Sequence, residues 1–137
     1  MMKLLGTTGA LALLIAATAP LPSLAQQADA HGIGRTELVR HAFDGNRDAI
    51  QVRVDFGPHA AFPRHTHPGV EIAHVLAGTI EYALDGKTVV LKTGESLYIP
   101  EGVAHSARNV GAGNAAELAT YLVARDKPAV VIDGPLR

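Results

Sequence analysis

The sequence predicts an all-β fold, either a sandwich or a barrel, because short strand patterns recur about every ten residues along the chain. No long amphipathic helical pattern interrupts these strands. Turn-forming residues such as Asp85-Gly86 lie between them. The chain has 137 residues, of which 47% are hydrophobic. This size and composition are typical of one globular domain.

The N-terminal residues 1–25 have the pattern of an export signal. One charge, Lys3, precedes an apolar run of Leu, Ala, Ile, Gly and Thr, and the segment ends in Ser23-Leu24-Ala25. A charged start, an apolar centre and a small-residue end are typical of a secretory signal peptide. The apolar run is shorter than the roughly 20 residues that a membrane span needs. We therefore expect cleavage after Ala25, no membrane anchor after processing, and a periplasmic or secreted mature protein.

Residues 26–48 are predicted to form an N-terminal arm and a first strand. Residues 26–34 are polar, small or Gly-rich and predict a flexible arm, and strand signals begin at Arg35. Residues 49–56 then alternate apolar and polar side chains. A period of two predicts a strand with one buried face. We expect this strand to begin the barrel, which we place at residues 49–127.

Apolar stretches predict the remaining strands, at residues 70–77, 79–84, 88–92, 97–99, 103–110, 117–123 and 130–132. Asp85-Gly86-Lys87 separates two of these stretches and predicts a β-hairpin. Pro100, Glu101 and Gly102 predict a turn before the strand at 103–110. Residues 128–137 are expected to form a C-terminal strand and tail.

Charge and composition exclude several functions. The chain has 12 Lys and Arg residues and 13 Asp and Glu residues, a net charge of −1, so nucleic acid is not an expected partner. There is no Cys, which excludes disulfides, thiol catalysis and Cys-ligated metals. The chemistry must therefore use carboxylates, hydroxyls or the seven His residues. With few aromatic residues the core is aliphatic and modestly stable alone, so we expect a homodimer.

Four residues have the spacing of a metal site. His65 and His67 are one residue apart, and side chains two positions apart on an extended chain point the same way. Glu71 follows a Pro68-Gly69 turn that can fold its carboxylate back toward the two rings. His105, just past the later turn, offers a fourth donor. These residues predict one metal ion bound by His65, His67, Glu71 and His105.

The same residues resemble the two-part sequence motif of the cupins. His65, His67, Glu71 and Gly78 match the spacing of the first part, and the second part is matched by Gly94, Pro100, Gly102, His105 and Asn109. The first motif departs at position 59, where the family has Gly and this chain has His59. His is among the residues that tolerate a positive φ, so the departure affects the local loop rather than the metal site.

The resemblance covers roughly residues 50–121 and implies a small single-domain cupin. Such a protein is a double-stranded β-helix, or jelly-roll, barrel whose three His and one Glu bind a metal inside its mouth. Three imidazoles and a carboxylate suit Fe, Mn, Ni, Cu or Zn, and do not suit Ca or Mg. Four protein ligands leave one or two positions for water, dioxygen or substrate. Glu71 is also expected to act as a general base when substrate displaces it from the metal.

Other polar residues have less specific interpretations. His74 has the opposite strand parity to Glu71 and is expected to face away from the metal, and His59 is expected to serve a turn. His31 and His41 are expected to be solvated, and Asn109 to bond the backbone. Either Arg53 or Arg108 is an alternative holder of an anionic substrate, although exposed outer-face positions are the default. One of the three Tyr residues, Tyr82, Tyr98 and Tyr121, is expected to line the pocket.

Two functions of different classes remain open at this point. The first is a metal-dependent enzyme, dioxygenase-like, acting on a small organic molecule. The second is a non-catalytic module that binds a metal or small ligand outside the cytoplasm. A purely structural barrel would not need all four ligands. Export in the unfolded state favours Cu or Zn, because the ion is then acquired outside the cytoplasm.

Overall fold

The computed structural model describes residues 28–134, so the predicted signal peptide at 1–25 lies outside the described residues. No helix among these residues is long and apolar enough to cross a membrane. The described part of the chain contains ten strands: β1 (Ile33–Ala42), β2 (Arg47–Phe56), β3 (Ala61–Thr66), β4 (Gly69–Ala77), β5 (Thr79–Leu84), β6 (Lys87–Lys92), β7 (Ser96–Ile99), β8 (His105–Asn109), β9 (Ala115–Ala124) and β10 (Val131–Ile132).

The strands form two five-stranded sheets in which neighbouring strands pair antiparallel. One sheet has the order β1-β2-β9-β4-β7 and the other has the order β10-β3-β8-β5-β6. The chain passes from one sheet to the other between β3 and β4 and again between β4 and β5. Repeated crossing between two facing sheets produces a jelly-roll barrel, and the predicted all-β fold is confirmed.

Alternating side chains build the core between the sheets. On β2, the buried apolar residues Ile50, Val52, Val54 and Phe56 alternate with more exposed polar ones. On β9, Ala119, Tyr121 and Val123 are buried in the same alternation. Because the side chains of a strand alternate between its two faces, these residues fill the space between the sheets. The core is mainly aliphatic, as its composition predicts.

Two local features follow the sequence signals. Asp85 and Gly86 both have positive φ, 47° and 70°, and Leu84 pairs with Lys87 across them. This is the two-residue type I′ hairpin that Asp-Gly favours. His59 also has a positive φ, 61°, and is exposed, so it takes the turn conformation expected where the cupin motif has Gly.

The predicted boundary between the N-terminal arm and the first strand is wrong. β1 begins at Ile33, so the arm does not extend to residue 34. Ile33 is only 2% exposed, and its backbone N–H donates to the Asp29 side chain at 3.0 Å. One buried apolar side chain in a polar, Gly-rich stretch is too weak a periodic signal to predict a strand.

The structure is that of one chain, so the homodimer stays a prediction.

Candidate metal centre

Two of the four predicted ligands lie opposite each other on neighbouring strands. His65 of β3 pairs directly with His105 of β8, and their ring centroids are 4.1 Å apart. The register shifts between Phe62 and His65, where three steps along β3 match two along β8. A β-bulge of this kind turns a side chain toward a new face. Here it turns His65 into the barrel beside His105.

The other two ligands follow within six residues. β3 ends at Thr66, and His67 lies in the crossing to the opposite sheet, where its carbonyl accepts a hydrogen bond from the Gly102 N–H at 3.1 Å. The Pro-x-Gly turn therefore holds His67 in place. Glu71 is on β4 in the opposite sheet. The four side chains thus meet between the two sheets.

Gly69 makes this crossing sterically feasible. Its φ is 155°, and a Cβ added there would lie 2.0 Å from the Leu122 carbonyl oxygen of β9. Only a residue without a side chain allows β4 to approach β9 this closely at its first residue. The position of Gly69 between His67 and Glu71 ties this close approach to the geometry of the site.

The four side chains form a compact, buried cluster. Their exposed fractions are 4% for His65, 2% for His67, 3% for Glu71 and 1% for His105. One donor atom from each residue lies within 4.8 Å of the others, a little above the roughly 4.2 Å that two ligands on opposite sides of one ion span. The residues present therefore suit a single metal ion.

Backbone carbonyls fix the orientation of all three imidazoles. The Nδ1 atom of His65 lies 2.8 Å from the Pro63 oxygen, and that of His105 lies 2.9 Å from the Val103 oxygen. The Nδ1 atom of His67 lies 2.5 Å from the Ala129 oxygen. A carbonyl oxygen only accepts, so each Nδ1 must carry the hydrogen and donate it. Each neutral ring then presents the lone pair of Nε2, as metal-binding His residues typically do.

The centre of the cluster requires a positive charge. The Nε2 atoms of His67 and His105 lie 2.8 and 3.2 Å from the same Glu71 oxygen, Oε2. For His67 the short distance does not correspond to a hydrogen bond, because its buried Nε2 has no partner of acceptable geometry among residues 28–134. Lone pairs this close to a carboxylate repel it unless a proton or a cation lies among them. A divalent metal ion satisfies all of these atoms together.

The electrostatics of the metal-free cluster follow from the same contacts. Burial, together with the neighbouring His105, lowers the pKa of His65 to about 4. Burial also favours the neutral form of Glu71, but the close imidazoles of His105 and His67 outweigh it and lower the pKa of Glu71 to about 2. Burial likewise favours neutral His105, and its hydrogen bond to Glu71 outweighs this and raises the pKa of His105. Protonation of His105 beside Glu71 therefore competes with metal binding at this site.

The remaining sequence candidates lie away from the cluster. His74 faces out and lies 2.9 Å from the Ser96 hydroxyl, and His31 and His41 are exposed. The Asn109 side chain bonds backbone groups, including the carbonyls of Gly57 and Gly113. These positions agree with the non-catalytic interpretations of the sequence.

The arginine alternatives do not reach the site. Arg53 pairs with Asp55 at 2.8 Å, and Arg108 pairs with Glu81 at 2.7 Å, with about half of each arginine side chain exposed. Both are outer-face residues, so neither can hold a substrate beside the metal. Each arginine lies between two buried residues on its strand. Because adjacent side chains point to opposite faces of a sheet, both arginines point outward.

A narrow cavity of about 10 Å³, with room for about one water molecule, lies beside the cluster. His65, Glu71 and His105 form part of its wall. Its polar lining also includes Arg35, Tyr82, Glu117 and Tyr121. The sequence did not indicate Arg35 or Glu117, and it did not show which Tyr residues face the pocket. Two of the three Tyr residues therefore line the pocket, whereas Tyr98 is 57% exposed.

Glu117 is a second buried carboxyl group in this cavity. Its side chain accepts a hydrogen bond from the Tyr82 hydroxyl. Burial, and then the charge of Glu71, raises the pKa of Glu117 to about 7. Burial also raises the pKa values of Tyr82 and Tyr121, so both stay neutral phenols. The parity of Glu117 with Tyr121 and Val123 on β9 was the signal in the sequence that could have placed it inside.

The fold and the site define a jelly-roll barrel with a buried metal site of three His and one Glu. A profile of the cupin family, described as "Cupin domain", matches residues 52–123. That match spans more than half of the chain. The protein belongs to the cupin family.

Comparisons with individual proteins agree with this assignment. Germin-like protein 1 of Brassica napus is 37% identical over 75 residues, which cover 50% of this chain and 36% of the germin-like protein. The chain thus spans little more than a third of that relative. A recombinant oxalate oxidase in complex with glycolate is 25% identical, with a TM-score of 0.63, and the match covers 85% of this chain and 66% of the oxidase. The cupin domain of Schizosaccharomyces pombe Cnp3 is 18% identical, with a TM-score of 0.64 over 78% of this chain and 74% of that domain, and shares the fold.

Proposed function

We propose that this cupin is a metal-dependent oxidoreductase, dioxygenase-like, that acts on a small organic substrate. The observation that carries the proposal is the place of the metal cluster in the wall of a cavity. His65, Glu71 and His105 all contribute to that wall. A structural ion is normally closed off by its ligands, whereas a catalytic ion keeps a position open to substrate. A cavity beside the four donors supports the catalytic case.

We assign the following roles to the side chains of the site. His65, His67, Glu71 and His105 would hold the ion, which when bound supplies Lewis-acid chemistry and, if it is Fe, Mn or Cu, redox chemistry. Apolar residues such as Phe62 and Val54 keep bulk water out of the cavity. We assign Glu71 a second role as a general base on substrate that displaces it from the ion.

The comparisons add one class of molecule to the candidate substrates of the proposal. The similar oxalate oxidase was solved with glycolate, a small carboxylate, and the germin-like proteins share 33–38% identity with this chain. The cavity beside the donors, about 10 Å³, has room for one water-sized group, so a substrate can place only a small part, such as an oxygen atom, beside the metal. We include small carboxylic acids with phenols, diketones and keto acids as candidate substrates.

Oxygen consumption tests the proposal. The full-length protein is loaded separately with Fe(II), Mn(II), Cu(II) and Zn(II) and given oxalate, glycolate and a panel of small phenols, diketones and keto acids. We expect oxygen uptake with one redox-active metal, and loss of that uptake in His105→Ala. The matched control is His74→Ala, an outward-facing His that should keep full activity. If no metal and substrate pair consumes oxygen although the metal is bound, the protein is a non-catalytic metal-binding module.

We also propose that the protein works outside the cytoplasm, on the pattern of residues 1–25. Mass spectrometry of protein recovered from the periplasm or culture medium checks this directly. The expected N-terminus is Gln26. Recovery of the protein in the cytoplasm with residues 1–25 attached would contradict export.

A further inference from the structure

Arg35 has an unusual position for an arginine of this protein. It lies on β1, where it pairs with Val54 of β2. Residues paired directly across two antiparallel strands have their side chains on the same face of the sheet. Val54 is a buried core residue, so Arg35 also points into the barrel. Its side chain lines the cavity that contains the metal ligands.

Arg35 also differs in its partners. Among residues 28–134, every other arginine lies within 3.4 Å of a carboxylate oxygen; these are Arg40, Arg47, Arg53, Arg64, Arg108 and Arg125. Within the same residues, Arg35 has no carboxylate within ion-pair distance. Its Nη2 donates instead to the Tyr121 hydroxyl at 3.3 Å, and its guanidinium lies 5.3 Å from the centre of the Phe62 ring.

A half-buried guanidinium without an anion leaves strong donors unused. Arg offers five N–H groups in a planar fork that matches a carboxylate. The acids around it do not complete the pairing, since Glu37 is bound to Arg40 by two contacts of 3.0 and 2.7 Å. Glu117 also lines the cavity, but it lies beyond ion-pair distance of Arg35 and accepts a hydrogen bond from the Tyr82 hydroxyl.

The position of Arg35 connects the inner cavity to the outside. Arg35 and Tyr121 line both this cavity and an outer, more open pocket of about 220 Å³. On the inner side, the Phe62 ring lies under the guanidinium and meets the His65 ring edge-on at 4.7 Å. One aromatic ring therefore separates the guanidinium from a metal ligand. A molecule that binds both must be small.

We propose that Arg35 and the Tyr121 hydroxyl form a carboxylate-binding subsite, which makes the substrate a small organic acid with a second oxygen that faces the metal. The inference rests on the proposed function for the role of the metal. Arg35 supplies a charged pair of donors, and Tyr121 supplies one further O–H. Both are substrate-contacting residues that select an acid over its uncharged amide.

Isothermal calorimetry with matched probes tests the subsite. Glycolate and pyruvate, with glycolamide and pyruvamide as uncharged counterparts, are titrated into the full-length protein, both metal-free and loaded with Mn(II). We expect each acid to bind more tightly than its amide, and Arg35→Met to weaken acid binding by about tenfold or more without affecting amide binding. Arg35→Lys should retain part of the affinity, and Tyr121→Phe should lose a smaller part.

The control and the metal-free titration separate this inference from the proposed function. Arg53→Met removes an outer-face arginine and should leave binding unchanged. Far-UV circular dichroism and metal content verify that each variant is folded and loaded. Equal acid and amide affinities in the wild type, or unchanged acid affinity in Arg35→Met, would overturn the subsite even if Mn(II) binds. If Mn(II) does not bind but Arg35-dependent acid binding persists, the metal function fails and the subsite stands.

Discussion

A Glu117→Gln substitution should remove a pH-dependent loss of stability from the metal-free protein. Glu117 is 5% exposed and accepts a hydrogen bond from Tyr82. Burial, and then the charge of Glu71, raises its pKa from 4.5 to about 7. At about 1.4 kcal/mol per pKa unit, this difference is worth about 3 kcal/mol of unfolding free energy. Gln keeps the shape and the oxygen that accepts from Tyr82, but has no charge.

The sign of the effect follows from the two protonation states. Below pH 4.5, Glu117 is neutral in the folded and unfolded chains, so it costs nothing. As the pH rises from 4.5 to 7, the unfolded chain releases the proton before the folded chain does, and the folded state loses stability. Wild type should therefore lose about 3 kcal/mol relative to Glu117→Gln across this range.

Urea denaturation followed by circular dichroism, in a chelator and at several pH values, measures this difference. Subtracting the two unfolding free energies at each pH removes the contributions that both proteins share, and it leaves those of Glu117 and of its interactions with Glu71 and His105. Glu81→Gln is the control, because Glu81 lies on the outer face and pairs with Arg108. A difference between wild type and Glu117→Gln that stays constant with pH would refute the reasoning that burial raises the pKa of Glu117.

Three further outcomes are expected. Zn(II) affinity measured by calorimetry should fall as the pH drops through the raised pKa of His105, since a protonated imidazole does not coordinate metal; a constant affinity would contradict the ligand set. Asn109→Ala should lower the unfolding free energy by about 3 kcal/mol, because buried backbone groups lose their partners; urea denaturation checks this, and an unchanged midpoint would contradict it. Gly69→Ala should lower metal content and the melting temperature, because its Cβ would lie 2.0 Å from a carbonyl oxygen, whereas Gly113→Ala, with open space around it, should change neither.

Three of the four metal ligands could be predicted because they are close together in the sequence. His65, His67 and Glu71 lie within seven residues of sequence, and strand geometry and a turn are enough to bring them together. The details differ from that reasoning, since β3 ends at Thr66 and a bulge before His65 sets its direction. Bulges depend on pairing with a partner strand, which a short stretch of sequence does not specify.

The cavity residues depend on long-range pairing. Arg35 faces inward because β1 pairs with β2 in the register that places it opposite Val54. Nothing in the alternation of residues 35–42 predicts that register, because polar residues occupy both faces. The carbonyl of Ala129 that orients His67 lies 62 residues away in sequence. Backbone groups carry no residue-type signal, so their role appears only in the folded chain.

Metal stoichiometry tests the central claim most directly. Full-length wild-type protein, its His65→Ala and His105→Ala variants, and the outward-facing control His74→Ala are equilibrated with Zn(II), desalted and analysed by mass spectrometry of the metal. We expect one ion per chain in wild type and His74→Ala. In His65→Ala and His105→Ala we expect nearly none, with the β-sheet circular dichroism retained. One ion per chain in either of those two variants would contradict the site.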